Sequence, residues 1–128
     1  EAAVPVAPGI YGLSNATLGV RWPKVQRGLD AFGPLLERED VAPEPLLDLL
    51  HDTIRASDDR LPDTGVGLER ERMLSPLFIA SADYGTRAST VLLLGEEEGL
   101  FVERTYGPGG TPGDEVRLAL RASGPVAG

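Results

Sequence analysis

The sequence predicts an α+β fold, with two helices packed on an antiparallel β-meander. Three patterns point to it: two stretches of helical apolar spacing in the first half, turn-rich loops after them, and short β-favouring runs separated by glycine-rich turns in the last third. The first element is Gly9-Ile-Tyr-Gly-Leu-Ser14, a short run with β-favouring residues between Pro8 and Asn15, which reads as a strand. Pro23 suits a first helical turn. Val25, Leu29, Phe32 and Leu36 then recur at spacings of four, three and four, the stripe of an amphipathic helix. Gly33-Pro34 predicts a kink or break in it, because proline lacks an amide donor and crowds the preceding turn.

A second helix enters through Pro43 and Pro45. Glu44 complements the positive end of its dipole, and Leu46, Leu47, Leu50 and Ile54 lie on one face. Residues 57–67 carry loop chemistry centred on Pro62-Asp-Thr-Gly65, followed by a short helix over Leu68–Leu74 that stops near Pro76. The meander is expected as Thr86–Leu94, the turn Gly95–Gly99, Leu100–Tyr106, a glycine-rich loop over 107–113, and Glu115–Ala122. Val91-Leu-Leu-Leu94 is apolar on both faces and predicts a central strand. Residues 1–122 are read as one α+β domain and 123–128 as a flexible tail.

Composition narrows the function. The formal charge of −8 repels phosphate backbones and anionic lipid, which argues against nucleic-acid or membrane partners. No apolar run is long enough to span a bilayer, and the first residues lack signal-peptide character. The absence of cysteine removes disulfides, thiolate metal sites and a cysteine nucleophile from these residues, and suits a reducing cytoplasm. No His/Cys cluster supports a zinc site, so no metal is expected.

Four segments carry a family signature: Gly12-Leu-Ser-Asn15, Trp22-Pro-Lys24, Leu61-Pro-Asp-Thr-Gly-Val66 and Tyr84-Gly-Thr-Arg-Ala-Ser-Thr-Val91. Together they resemble the NRDE family, also called the transport and Golgi organisation protein 2 family, across roughly residues 8–106. The resemblance implies one half of a four-layer αββα sandwich like that of N-terminal-nucleophile hydrolases. The cysteine and the Asn-Arg-Asp-Glu motif of the family's amino-terminal half do not occur here, so this chain is expected to pair with that half, in the same or a separate chain. A half-sandwich alone would expose strand edges and an apolar face.

Asn15, after the first run, offers an amide that could stabilise an oxyanion, or it is a turn residue. Related amide hydrolases place an oxyanion-hole asparagine at a similar location. Arg87 offers a fork for a carboxylate, or it forms an ion pair with Glu69 or Glu71. These two are the candidate catalytic groups. Trp22, Asp63, Thr64, Tyr84 and Ser89 are the candidate ligand contacts, although an Asx turn closing on Gly65 accounts for Asp63 and Thr64, and Trp22 also suits a core anchor. Alternation puts Ser89, and not Thr90, on the Arg87 face. Lys24 reads as a solvated helix charge.

Two function classes follow. The resemblance implies small-molecule or haem binding and trafficking, since family members are associated with haem mobilisation, lipid homeostasis and secretory-pathway organisation. Haem is the one cofactor it brings in, with His51, Met73, Tyr11, Tyr84 and Tyr106 as conceivable axial ligands. The alternative is an amide-bond hydrolase whose cysteine nucleophile lies in the amino-terminal half, with Asn15 and Arg87 supplying electrostatic stabilisation. A plain structural role is a third reading. The Gly, Ala, Pro and Arg usage has a bacterial flavour.

Overall fold

Pro23 opens the first helix because its fixed φ suits the first turn and its missing N–H would have no partner there. In the computed structural model, which describes residues 2–16 and 18–123, this helix, α1, runs Pro23–Leu36. Trp22 caps it in extended backbone, as a residue before proline must, and the Trp22 carbonyl accepts from the Gln26 N–H at 3.0 Å. Helix α2 spans Pro43–Leu50, α3 spans Leu68–Leu74, and three strands follow: β1 Ala88–Leu94, β2 Glu98–Tyr106 and β3 Pro112–Arg121. Single 3-10 turns cover Asp58–Arg60 and Pro108–Gly110.

The sheet is an antiparallel meander in the order β1-β2-β3. Its register pairs Val91 with Val102 and Leu92 with Phe101, then Phe101 with Leu118. A register shift between Arg104 and Tyr106 leaves Thr105 out of line and sets Tyr106 opposite Pro112. Alternation places Ser89, Val91, Leu93, Leu100 and Val102 on the face covered by α2. Leu46 and Leu47 pack there against Val91 and Val102, with Phe32 and Leu35 of α1 alongside. A second knot stands beside this core: the Phe78 ring, fully buried, meets Tyr106 and His51 edge-on.

The α+β class holds, and four local expectations change. Residues 9–14 form no strand, for none of them pairs with the sheet. Gly12 instead rests on α1, so near Val25 that a Cβ would stand 2.6 Å from its Cγ1. Pro34 does not end α1. Its position in the last turn forfeits a single hydrogen bond, and continuing the helix lets Phe32 and Leu35 reach the core. Helix α2 stops at Leu50, leaving Ile54 exposed beyond it, because the chain turns there: the Asp52 carbonyl accepts from the Phe78 N–H at 2.8 Å. Finally, Val91–Leu94 lies in an edge strand, and β2 is central.

The apolar outer side of β1 is accordingly open. Leu92 and Leu94 are 53% and 71% exposed, and they continue across the sheet into Phe101, Leu118 and Val116. Within the segment 123–128 expected to be a tail, residues 124–128 lie outside the described residues.

Candidate functional site

The residues leading into α1 and the 62–64 loop converge on one cleft, for a local reason in each case. Asp63 closes an Asx turn, its Oδ1 accepting from the Gly65 N–H at 3.2 Å, and Gly65 supplies the positive φ of 86° that the turn requires. Thr64 then donates both its N–H, at 2.7 Å, and its hydroxyl, at 2.5 Å, to Oε1 of Glu71 on α3. This double donation is what lets a carboxylate sit buried there. On the other side, Gly85 approaches the Ile79 carbonyl so closely that a Cβ would stand 2.6 Å from its oxygen, and the Ala80–Gly85 bridge presents Tyr84 at the cleft mouth.

Two cavities result. The smaller, about 240 Å³, is lined by Asn15, Trp22, Lys24, Thr64, Glu71 and Tyr84 among others. The larger, about 590 Å³, is walled by Leu29, Phe32, Leu46, Leu77 and Leu92, and Tyr11 and Ser14 stand at its edge. Asn15 and Lys24 line both, so the two spaces share a wall there. The larger volume alone falls in the range of drug-sized ligand sites, and the smaller, with Lys24, Thr64 and Glu71 in its lining, is the more polar of the two.

Lys24 is the feature that the sequence reading missed. It is half-buried: its Nζ donates to the Leu74 carbonyl at 2.9 Å, and burial lowers its pKa from the ordinary lysine value. No ion pair among the described residues includes it. Its position in the first turn of a helix suggested a solvated charge, whereas the 62–75 segment folds back over it.

The candidates divide between cleft and surface. Asn15, Trp22, Thr64 and Tyr84 share the smaller cavity; Asp63 shapes its loop without lining it. Arg87 lines neither cavity. It is exposed just before β1, and its backbone carbonyl accepts from the Tyr106 N–H at 2.8 Å. The carboxylates considered as its partners are engaged elsewhere, Glu69 with Arg72 and Glu71 with Thr64. Ser89 is buried beside Val91 on the α2 side of the sheet, so it does not share the environment of Arg87.

The haem ligands considered from sequence divide in the same way. His51 packs edge-on against Phe78, and His51, Met73 and Tyr106 line neither cavity. Tyr11 and Tyr84 do, but the Tyr11 hydroxyl donates to the Ala7 carbonyl at 2.6 Å. An axial imidazole is not offered to either space.

The family model for Transport and Golgi organisation 2 matches residues 1–108, which include every residue of both cavities. The chain belongs to the Transport and Golgi organisation 2 family. Among its relatives in this family, the bovine Transport and Golgi organization protein 2 homolog is 32% identical over 111 residues, covering 80% of this chain and 40% of the bovine protein. The human homolog is 29% identical with the same coverage, and the mouse homolog is 29% identical over 99 residues, 71% of this chain and 36% of its own. The chain thus spans about two fifths of the length of these Transport and Golgi organisation 2 relatives.

Proposed function

We propose that this chain is the ligand-holding part of a small-molecule binding or trafficking protein of the Transport and Golgi organisation 2 family. The observation that carries the reading is that Asn15 and Lys24 line both the larger, mainly apolar cavity and the smaller, more polar one. A ligand with a hydrocarbon or ring body and a carboxylate head would place the body among Leu29, Phe32 and Leu46, and the head where the Lys24 ammonium and the Asn15 amide can donate to it. Trp22 and Tyr84 give the polar room flat apolar surfaces. Haem belongs to this ligand class through its propionates. The reading holds it by those groups and by apolar contact, since neither cavity offers an imidazole. The protein would act in a cytoplasm, and the cysteine-free composition suits that.

Titration of the protein with haem, followed at the Soret band, is the direct test. Saturable binding that weakens at least about tenfold in Lys24→Met, a loss of about 1.4 kcal/mol, supports the reading. Binding that is absent for haem and for long-chain carboxylates alike overturns it.

A second reading is favoured by one observation, the place of Asn15 in the lining of both cavities. Its amide could donate to the oxyanion of an amide under attack by a cysteine from the rest of a longer polypeptide. Release of amine from acyl-amide substrates by the longer polypeptide, abolished in Asn15→Ala, would favour hydrolysis over carriage.

The same proposal assigns the open outer face of the sheet an occupant, the remainder of the family's longer polypeptide. The family relatives extend well beyond the matched part, and Leu92, Leu94 and Leu118 form the kind of apolar patch that associates in water. This would complete the αββα sandwich implied by the resemblance. Co-expression with the adjoining part of the polypeptide should yield a stable complex, and Leu92→Asp should abolish it. A complex indifferent to that substitution would reject the assignment.

A further inference from the structure

Lys24 stands apart in composition as well as in place. It is the one lysine among 128 residues, and every other basic side chain of Lys or Arg type is arginine. The distinction is chemical, because a guanidinium stays protonated and is not nucleophilic at ordinary pH, whereas a desolvated amine can lose its proton and attack a carbonyl. Partial burial of Lys24 favours that loss, against the modest pull of one carbonyl acceptor. Its hydrogen-bond acceptor is the neutral Leu74 carbonyl, and no carboxylate pairs with it among the described residues to hold the proton. Burial lowers its pKa in keeping with this geometry. Lys24 lines both the larger cavity and the smaller, more polar one, as Asn15 does.

We propose that Lys24 captures amphipathic aldehydes or ketones, its Nζ condensing with the ligand's carbonyl carbon to a Schiff base while the hydrocarbon part fills the larger cavity. The nitrogen lone pair forms the new N–C bond, and the carbonyl oxygen takes up one of the protons from the nitrogen to become the hydroxyl of a carbinolamine. The C–O bond then breaks, and the oxygen leaves as water with the second proton. No oxidant or reductant enters. The Asn15 amide is the donor at hand for the oxygen as charge develops on it. The inference rests on the small-molecule reading above and adds a covalent bond to it.

Reductive trapping tests it. The chain is incubated with decanal or with acetaldehyde in the presence of cyanoborohydride, and the adduct is located by peptide mass mapping. The single lysine makes the assignment unique, and the terminal α-amine serves as an internal reference. Labelling of Lys24 by decanal should be at least about tenfold faster in the folded chain than in urea, because the cavity holds the aldehyde next to the amine. Acetaldehyde, too short to use the cavity, should lack that gain. Lys24→Arg, with unchanged circular dichroism, should abolish the adduct outside the terminus. Equal rates folded and unfolded, or equal gains for both aldehydes, overturn the proposal.

Decanoate, which cannot form an imine, separates the two claims when its binding is read by the emission of Trp22. Decanoate binding without trapping at Lys24 removes the covalent step and leaves the binding reading standing. Failure of both removes both.

Discussion

A buried carboxylate costs several kcal/mol unless it is hydrogen-bonded, and Glu71 accepts two hydrogen bonds at Oε1 from a single residue, Thr64. Thr64→Val keeps the shape and removes the hydroxyl donor. It should lower unfolding free energy by about 1–3 kcal/mol in urea titration, and Thr64→Ser should recover most of it. Gly12 is a second residue with little latitude. A Cβ there would meet Val25, itself buried at the start of α1, so Gly12→Ala should cost roughly 1–3 kcal/mol and narrow the larger cavity, read as weaker ligand binding. Of the ligand and catalytic candidates, Asn15, Trp22, Thr64 and Tyr84 line one cavity, and turn and aromatic chemistry is what singled them out in the sequence. The burial of Lys24 was not legible. It depends on Leu74, fifty positions away in sequence, and no local pattern encodes that approach.

At the scale of elements, α2 is tied to the sheet by packing and by a charge network. Leu47 is fully buried against β1 and β2, and Leu47→Ala should cost about 2–5 kcal/mol by urea denaturation. Arg117 on β3 reaches Glu44 at the start of α2 and, at 2.9 Å, Glu115, which also pairs with Arg104. Hydrogen bonds from these arginines hold the Glu44 and Glu115 carboxyls below their ordinary pKa. The folded pKa being depressed, the stabilisation is present above the ordinary glutamate value of 4.5 and is lost as pH falls through the folded values. Because these pairs are exposed, the effect is small, and salt should screen it. The midpoint of urea unfolding should fall as pH drops below that value, and Glu44→Gln should flatten the fall. A profile unchanged by Glu44→Gln would remove this pair from the account. Helix periodicity and the meander were readable because Leu, Val and turn residues repeat at element spacing. Residues 9–14 were misread because a β-favouring run becomes a strand only beside a partner edge, and these residues lie on α1 instead.

At the scale of the whole molecule, β1 and β2 are covered on one face and open on the other, while β3 is exposed along nearly its whole length. The helices bury Val91 and Val102, while Leu92, Leu94 and Leu118 remain exposed. That asymmetry explains why Val91–Leu94 looked like a central strand: its sequence is apolar on both faces although it forms an edge. The larger cavity lies beside this same sheet, since Thr90 to Leu92 line it, so whatever covers the open face also borders that cavity. The central claim is that one ligand spans both rooms through the Asn15–Lys24 junction. Trp22, the single tryptophan, borders the polar room and reports on it directly. The decisive measurement is its emission during titration with a long-chain carboxylate, in the unaltered chain and in Asn15→Ala and Lys24→Met. The account predicts a saturable change that weakens at least about tenfold in each variant. No saturation in the unaltered chain, or affinity unmoved by either substitution, would contradict it.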